Sequence, residues 1–271
     1  MSELSSMLTS IGVTCSKFTR ISLEREIRIG AVSYLNTKPL LFGLNEKHFS
    51  YPFQLTLDYP ANLVKAIQED KIDIGLLPVA AILQLENFQV VSKYCIGAFG
   101  EVGSVCLYSN VPIKDVKKVK LDYQSRTSVL LCKVLLKEFY HQNVDFVPAQ
   151  TDEELLEFNE ESASLVIGDR ALRLNGKTKF RYDLALSWKE MTGLPFVFAV
   201  WVSKRYMSPE FIQSFDQAVG YGVQHVDQVV SAIGDIGVDL EVYYKKNISY
   251  DFDEQKKQGM QLYLEKIQQL L

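Results

Sequence analysis

The chain has 271 residues, 47% hydrophobic and 23% charged, with a formal net charge of -4. That is ordinary globular composition, with apolar material for one large core or two of medium size. The mild acidity supplies no basic field for nucleic acid, so an anionic ligand would need a local seat, and no apolar run approaches the ~20 residues of a membrane-spanning helix.

The four cysteines, Cys15, Cys95, Cys106 and Cys132, are scattered without a CxxC pair, and read as small residues of a reduced compartment. His48, His141 and His225 lie far from one another and from any acidic ligand pattern, so no metal site is expected. Residues 1–25 carry Glu3 near their start, no basic residue ahead of their first apolar stretch, and apolar residues interrupted by Thr9, Ser10 and Thr14. That fails the secretory pattern. The expectation is a cytoplasmic protein with a short N-terminal extension, 1–25, that is a candidate for disorder.

The first patterned stretch is 27–40, IRIGAVSYLNTKPL. An apolar run predicts a strand over 27–32; a turn through Ser33, Tyr34, Asn36 and Thr37 then leads into a helix, as in half of a βαβ unit. Loops after the carboxyl ends of such strands hold ligands in open α/β sheets, which makes Tyr34, Asn36 and Thr37 candidate pocket residues. The same residues also suit a plain capped turn, with Thr37 as helix N-cap.

Residues 53–57 read as a strand, and Pro60 opens a helix with Leu63, Val64 and Ile67 on one face. The run 72–77, IDIGLL, suits a strand buried on both faces of a parallel sheet, and 79–85 a helix after Pro78. Strands are expected over 89–98 and 104–109, separated by a loop with Gly100 and Gly103. The pattern restarts near Asn110: a strand over 117–122, a largely buried helix from Ser125 to about Tyr140 whose polar stripe is Arg126, Lys133 and Lys137, a strand over 144–147, a helix over 152–158 and a strand over 164–167. Gly168-Asp169 is expected as a turn, 188–194 as amphipathic, and 196–202, FVFAVWV, as an aromatic strand. After Ser203 only helices are expected, the first capped at Ser208-Pro209-Glu210 with Phe211, Ile212, Phe215, Val219 and Val223 inward. The last carries Met260, Tyr263, Leu264, Ile267 and Leu271.

Two α/β units and a helical tail predict an α/β, two-lobed, periplasmic-binding-protein-like (type II) fold with a ligand cleft between the lobes. The expected division is 26–109 plus 204–271 for lobe 1 and 110–203 for lobe 2.

Four constellations carry chemistry. Ser125-Arg126-Thr127-Ser128 places hydroxyls and free N–H groups at a helix start, an anion seat to which Arg126 could add a bidentate contact; a plain N-cap with Arg126 in an ion pair is the alternative. Ser104 after Gly103 offers N–H and hydroxyl where the backbone can approach a ligand, or closes a tight turn. Gly168-Asp169 could aim a carboxylate into the cleft, or Asp169 could cap the turn or pair with Arg170 or Arg173; Asp183 and Trp188 stand in the same position. Phe196 or Phe198 could wall a planar ligand. There is no Ser-His-Asp set, Gly-rich phosphate loop or metal cluster in the sequence, so an enzyme reading is one without a cofactor.

Taken in order, SYLNTKPL, IDIGLLPV, the GS of EVGSV, SRTSV, IGDRAL and WKEMTGLPFVFAVW resemble the chorismate dehydratases of the futalosine route to menaquinone. The resemblance runs from about Ile27 to Trp201, and the helical tail also fits. It implies a hydro-lyase that eliminates water from chorismate, with Asn36 at the reacting centre, Ser104 near the substrate, Ser125, Thr127 and Ser128 as the hydroxyl-rich seat, and Gly168-Asp169 facing it. Val79 stands where some members carry a serine after the proline. A small-molecule substrate is the only partner this implies, with neither nucleic acid nor membrane; the oligomeric state stays open. The rival readings are a non-catalytic solute-binding protein for a small carboxylate and the sister 1,4-dihydroxy-6-naphthoate synthase.

Overall fold

The computed structural model describes residues 26–174 and 176–270. Residues 1–25, with Cys15, and Leu271 lie outside the described residues. The strands form a six-stranded sheet of order β11-β4-β10-β3-β1-β2 and a five-stranded sheet of order β7-β6-β8-β5-β9.

In the first sheet, β1 (Ile27–Ala31) pairs in parallel with β2 (Phe53–Leu57) and β3 (Ile74–Pro78). β10 (Phe196–Ser203) lies antiparallel between β3 and β4 (Gln89–Ala98). β3 and β10 are interior and covered on both faces, which is why they read as unbroken apolar runs. β2, at the edge, leaves Gln54 and Thr56 in solvent. β11 (Ser249–Asp251) closes the opposite edge against β4. The second sheet holds β5 (Val105–Ser109), β6 (Lys118–Leu121), β7 (Asp145–Pro148), β8 (Ser162–Ile167) and β9 (Phe180–Asp183). There β6 runs parallel to β7 and β8, and β5 antiparallel to β8 and β9.

The helices are α1 (Lys38–Asn45), α2 (Pro60–Gln68), α3 (Arg126–Glu138), α4 (Asp152–Leu156), α5 (Gly168–Leu174), α6 (Leu184–Thr192), α7 (Pro209–Gln224), α8 (Val226–Ile233) and α9 (Glu254–Gln268). A helical turn, Leu240–Val242, and a π-helical turn, Tyr243–Asn247, precede β11. Ser208 caps α7 by accepting from the Phe211 N–H. Phe211, Phe215 and Val219 are buried, while Ile212 and Val223 are half-buried. In α9, Met260, Tyr263, Leu264 and Ile267 are buried. It packs on β10 of the first sheet and on α3 of the second unit, and one apolar cluster runs through both.

Several expectations are corrected. The divisions at 109/110 and 203/204 do not match the sheets: β5 belongs to the second sheet and β10 to the first. The chain crosses at residues 99–104 and returns at 193–195. The aromatic run at 196–203 reads as more of the second unit because a central antiparallel strand carries no sign of which sheet it enters. Residues 79–84 form a 3-10 helix, Val79–Gln84. Gly168 and Asp169 open α5 rather than forming a turn. Strands do continue after Ser203, as β11, and β9 was not expected; both are too short, with three charged residues among the seven, to show alternation.

Candidate active site

The carboxyl ends of β1, β3 and β8 and the start of α3 converge on a cleft between the two sheets. It encloses about 580 Å3 of space between the atoms, mouth included, and is lined by Tyr34, Asn36, Ser104, Ser125, Thr127, Ser128 and Gly168 among its polar and small residues. Its apolar walls are Val32, Leu76, Ile96, Val105, Ile167 and Phe198, closed by Pro60, Pro78 and Ala199. Few convergent polar groups on apolar walls is the usual make-up of a small-molecule site.

Asn36 lies in the 3-10 turn Leu35–Thr37 that follows β1. Thr37 does not cap α1 through its side chain; it is buried and donates to Asn36 Oδ1 at 3.3 Å. Asn36 Nδ2 then has no protein acceptor among the described residues. The turn is held from behind by two tyrosines: Tyr244 donates to the Leu35 carbonyl and Tyr250 to the Asn36 carbonyl, each at 3.0 Å.

At α3, Ser125 is the N-cap, its Oγ accepting from the Ser128 N–H at 3.1 Å. Its own hydrogen goes to Ser128 Oγ at 2.9 Å. Thr127 Oγ1 accepts from the Ala80 N–H at 3.1 Å. Ser104 Oγ accepts from the buried Tyr243 hydroxyl at 2.9 Å. At Ser104, Thr127 and Ser128, therefore, the protein occupies one lone pair of the oxygen and offers no acceptor for the hydrogen among the described residues. A hydroxyl so placed has its hydrogen free to donate into the cleft. Three such donors, the Asn36 amide and the N-terminal end of α3 make a seat for an anion built from neutral groups.

Three expected site residues do not line the cleft. Arg126 is exposed and is not among the lining residues: the α3 seat is made by its neighbours on either side. Phe196 is fully buried among Trp188 and Tyr263, with ring centroids 5.5 and 4.9 Å away. A register shift against β4 between Val197 and Ala199 breaks the alternation, and the adjacent Phe198 and Ala199 both face the cleft. Asp169 accepts the Leu35 N–H at 3.2 Å across the lobes, and burial pushes its carboxyl above the ordinary range against the pull of that N–H and of Arg173, Lys38 and Arg170. Arg170 pairs instead with Asp122, at 2.7 Å, and with Asp152. Asp183 is a buried cap, accepting from Val102, Gly103, Ala185 and Leu186 N–H groups, and Trp188 is core.

Tyr34 reaches across the cleft to donate to Gln124 Oε1 at 3.0 Å, and burial raises its phenol to about 12. Among the described residues it is the one ionisable side chain that lines the cavity. Sequence reasoning missed Gln124, the Ala80 N–H and the three tyrosines. The only mark of the last is their density in YYKKNISY, 243–250. Among the described residues no group of three His, Cys, Asp or Glu side chains could hold a metal ion, and no helix is long and apolar enough to cross a membrane.

The family model for menaquinone biosynthesis matches residues 27–269, nearly all of the described chain. The chain belongs to that family. This menaquinone-biosynthesis protein is 26% identical over 260 residues to the chorismate dehydratase of Thermus thermophilus, covering 88% of this chain and 93% of the relative. To the chorismate dehydratase of Campylobacter jejuni it is 24% identical over 224 residues, covering 82% and 88%. Among solved structures, protein AF1704 from Archaeoglobus fulgidus superposes with a TM-score of 0.69 at 14% identity, over 90% of this chain and 97% of that one. The Candida albicans CA3427 gene product, described as having the generic periplasmic binding protein fold, gives 0.57 at 13% identity over 91% of both. These likenesses give the family member its fold class, α/β and periplasmic-binding-protein-like.

Proposed function

We propose that the protein is a chorismate dehydratase, eliminating water from chorismate to give 3-[(1-carboxyvinyl)oxy]benzoate in menaquinone biosynthesis by the futalosine route. The observation that carries this reading is the set of uncommitted hydroxyl hydrogens at Ser104, Thr127 and Ser128, which suits a dianionic substrate in a protein of net negative charge. The two dehydratase relatives and the family support the choice of substrate.

In the reaction the C3–H and C4–O bonds break, the electron pair becomes a ring double bond, and proton and hydroxide leave as water. The ring becomes aromatic, so much of the driving force lies in the substrate. Charge released at C3 spreads through the diene toward the ring carboxylate. Donors fixed on that carboxylate by the α3 end stabilise the transition state more than the ground state. The Asn36 amide, held by Thr37 while Tyr250 holds the backbone carbonyl, is suited to the C4 hydroxyl on the opposite wall. No lining side chain is a carboxylate, imidazole, thiol or amine, and Tyr34 titrates near 12 and is engaged by Gln124. This favours the substrate's own enolpyruvyl carboxylate as the group that takes the C3 proton, in a scheme that uses no cofactor.

Incubation with chorismate tests the reading. Loss of the diene absorbance with appearance of the aromatic acid is expected. Unchanged absorbance would sink it, and turnover of cyclic dehypoxanthinyl futalosine instead would reassign the protein to the sister synthase.

A further inference from the structure

We infer that Tyr243 is a positioning residue of the site: by donating its hydroxyl hydrogen to Ser104 Oγ it frees the Ser104 hydrogen and turns it toward the cleft. The inference rests on the small-carboxylate reading above and names a residue outside the cleft that enforces it.

Tyr243 belongs to the π-helical turn Tyr243–Asn247, a wide turn of the kind that recurs at functional sites. Here it lets two successive tyrosines serve one wall: Tyr243 reaches Ser104 and Tyr244 reaches the Leu35 carbonyl. Tyr243 is 2% exposed and Ser104 1% exposed. Tyr243 has no other hydrogen-bond partner among the described residues, so the reverse polarity, with Ser104 donating, would strand a buried phenolic hydrogen. Burial also holds the phenol far above its ordinary pKa, so that hydrogen is always present. A free serine hydroxyl is donor or acceptor as it rotates. With one lone pair occupied from behind and no protein acceptor for its hydrogen among the described residues, Ser104 keeps that hydrogen for the cleft, where an anion is the partner that uses it best.

The test is a double-mutant cycle on KM and kcat for chorismate, and on the Kd of 3-hydroxybenzoate by calorimetry. Tyr243→Phe keeps the ring that packs the core, and is expected to raise KM and Kd ~5-fold with little change in melting temperature. In Ser104→Ala the loss is larger, and adding Tyr243→Phe to it is expected to change nothing further, because Tyr243 acts only through Ser104. Tyr244→Phe is the control: it loosens the Leu35 carbonyl, and its effect should add to that of Ser104→Ala. Wild-type binding and kinetics in Tyr243→Phe, or losses that simply add to those of Ser104→Ala, overturn the inference. Wild-type protein that binds the acid without consuming chorismate fails the dehydratase reading alone, and the cycle is then judged on Kd. Protein that does neither overturns both.

Discussion

A hydroxyl is an ambiguous group until its oxygen is occupied, and the cleft is legible only once that is known. Ser125, Thr127 and Ser128 stand in the sequence as three equal hydroxyls; the fold makes Ser125 a cap that hands its hydrogen to Ser128, and leaves Thr127 and Ser128 as the donors. The residue types were visible because a helix start needs a hydroxyl cap. The directions were not, since they depend on partners such as Ala80 that are remote in sequence. Asn36 was legible for the same reason as Ser125, as a polar residue at a strand end. With its carbonyl held by Tyr250 and its Oδ1 by Thr37, its backbone is fixed from the far side, so Asn36→Ala should fold with a melting temperature close to wild type. Substrate affinity should change little and kcat should fall by ~100-fold or more, because orientation acts mainly in the transition state. A lowered melting temperature with unchanged kcat would make Asn36 a turn residue only. Asp169 was misplaced because a carboxylate at a strand end serves as base or as backbone acceptor with the same sequence signature. Its carboxyl, raised by burial, holds a proton in the native state at pH values where the unfolded chain, titrating at ~3.9, has released it. Stability from this group therefore falls as pH rises from the ordinary aspartate range through the raised value, and is flat above it. Asp169→Asn keeps an acceptor for the Leu35 N–H and has no such proton to lose. The melting temperature of the variant minus that of wild type should grow over that window; a difference that is constant with pH would contradict native-state desolvation.

At the scale of elements, long periodic segments were readable and short ones were not. β4 falls at the expected 89–98, and α3 and α7 start at their expected caps, because ten or more residues give the apolar period room to repeat. β9 and β11 have four and three residues and owe their existence to neighbours already in place. The junction of β8 and α5 shows how an element end builds a site. Gly168 has φ +63, and a Cβ there would stand 3.4 Å from Tyr34 Cδ1 across the cleft. An L-residue in that conformation costs ~1–2 kcal/mol, so Gly168→Ala should lower the melting temperature by several degrees. At that distance the added methyl meets the Tyr34 ring in ordinary van der Waals contact, so KM should stay near wild type. Gly168→Asn, better tolerated in the left-handed region, should recover part of the stability; a Gly168→Ala variant with wild-type stability would mean that the backbone there relaxes freely.

At the scale of the molecule, α9 joins the lobes through Tyr263 to the Thr127 carbonyl and Lys266 to Glu138, and the hydrogen bonds that do so at the cleft include Tyr34 to Gln124, the Leu35 N–H to Asp169, and the Ala80 N–H to Thr127. The first and last of these cleft bonds use residues that line the cavity, so lobe contact and site assembly are one event. A ligand can shift such an equilibrium only by what it gains in the closed form, and here it gains the full donor set. Removing one crossing should favour the open form. Small-angle scattering of Gln124→Ala is expected to give a larger radius of gyration than wild type without ligand, and the wild-type value when a product analogue is bound. Equal radii throughout would show that the crossing does not hold closure. Two lobes were foreseeable from the repeating strand–helix pattern, but the crossings were not, since each joins residues that no local period connects.

The place of β10 has a consequence for how the chain comes off the ribosome. The strand sits between β3 and β4, so the first sheet has a missing middle until Phe196–Ser203 emerge, and an unfilled edge until Ser249–Asp251 follow. The second sheet has no such debt to later chain: β5 through β9 are contiguous, and β5 and β9 lie side by side, with Cys106 opposite Asp183. The N-terminal segment is thus synthesised first and finished last, the reverse of the usual vectorial order. Nascent chains stalled with Thr192 just outside the exit tunnel should already protect 105–192 from protease while 26–98 is cut, and protection of the earlier segment should arrive only once β10 is free. Early protection of 26–98 would mean that β1 to β4 hold a stable sheet without their central strand.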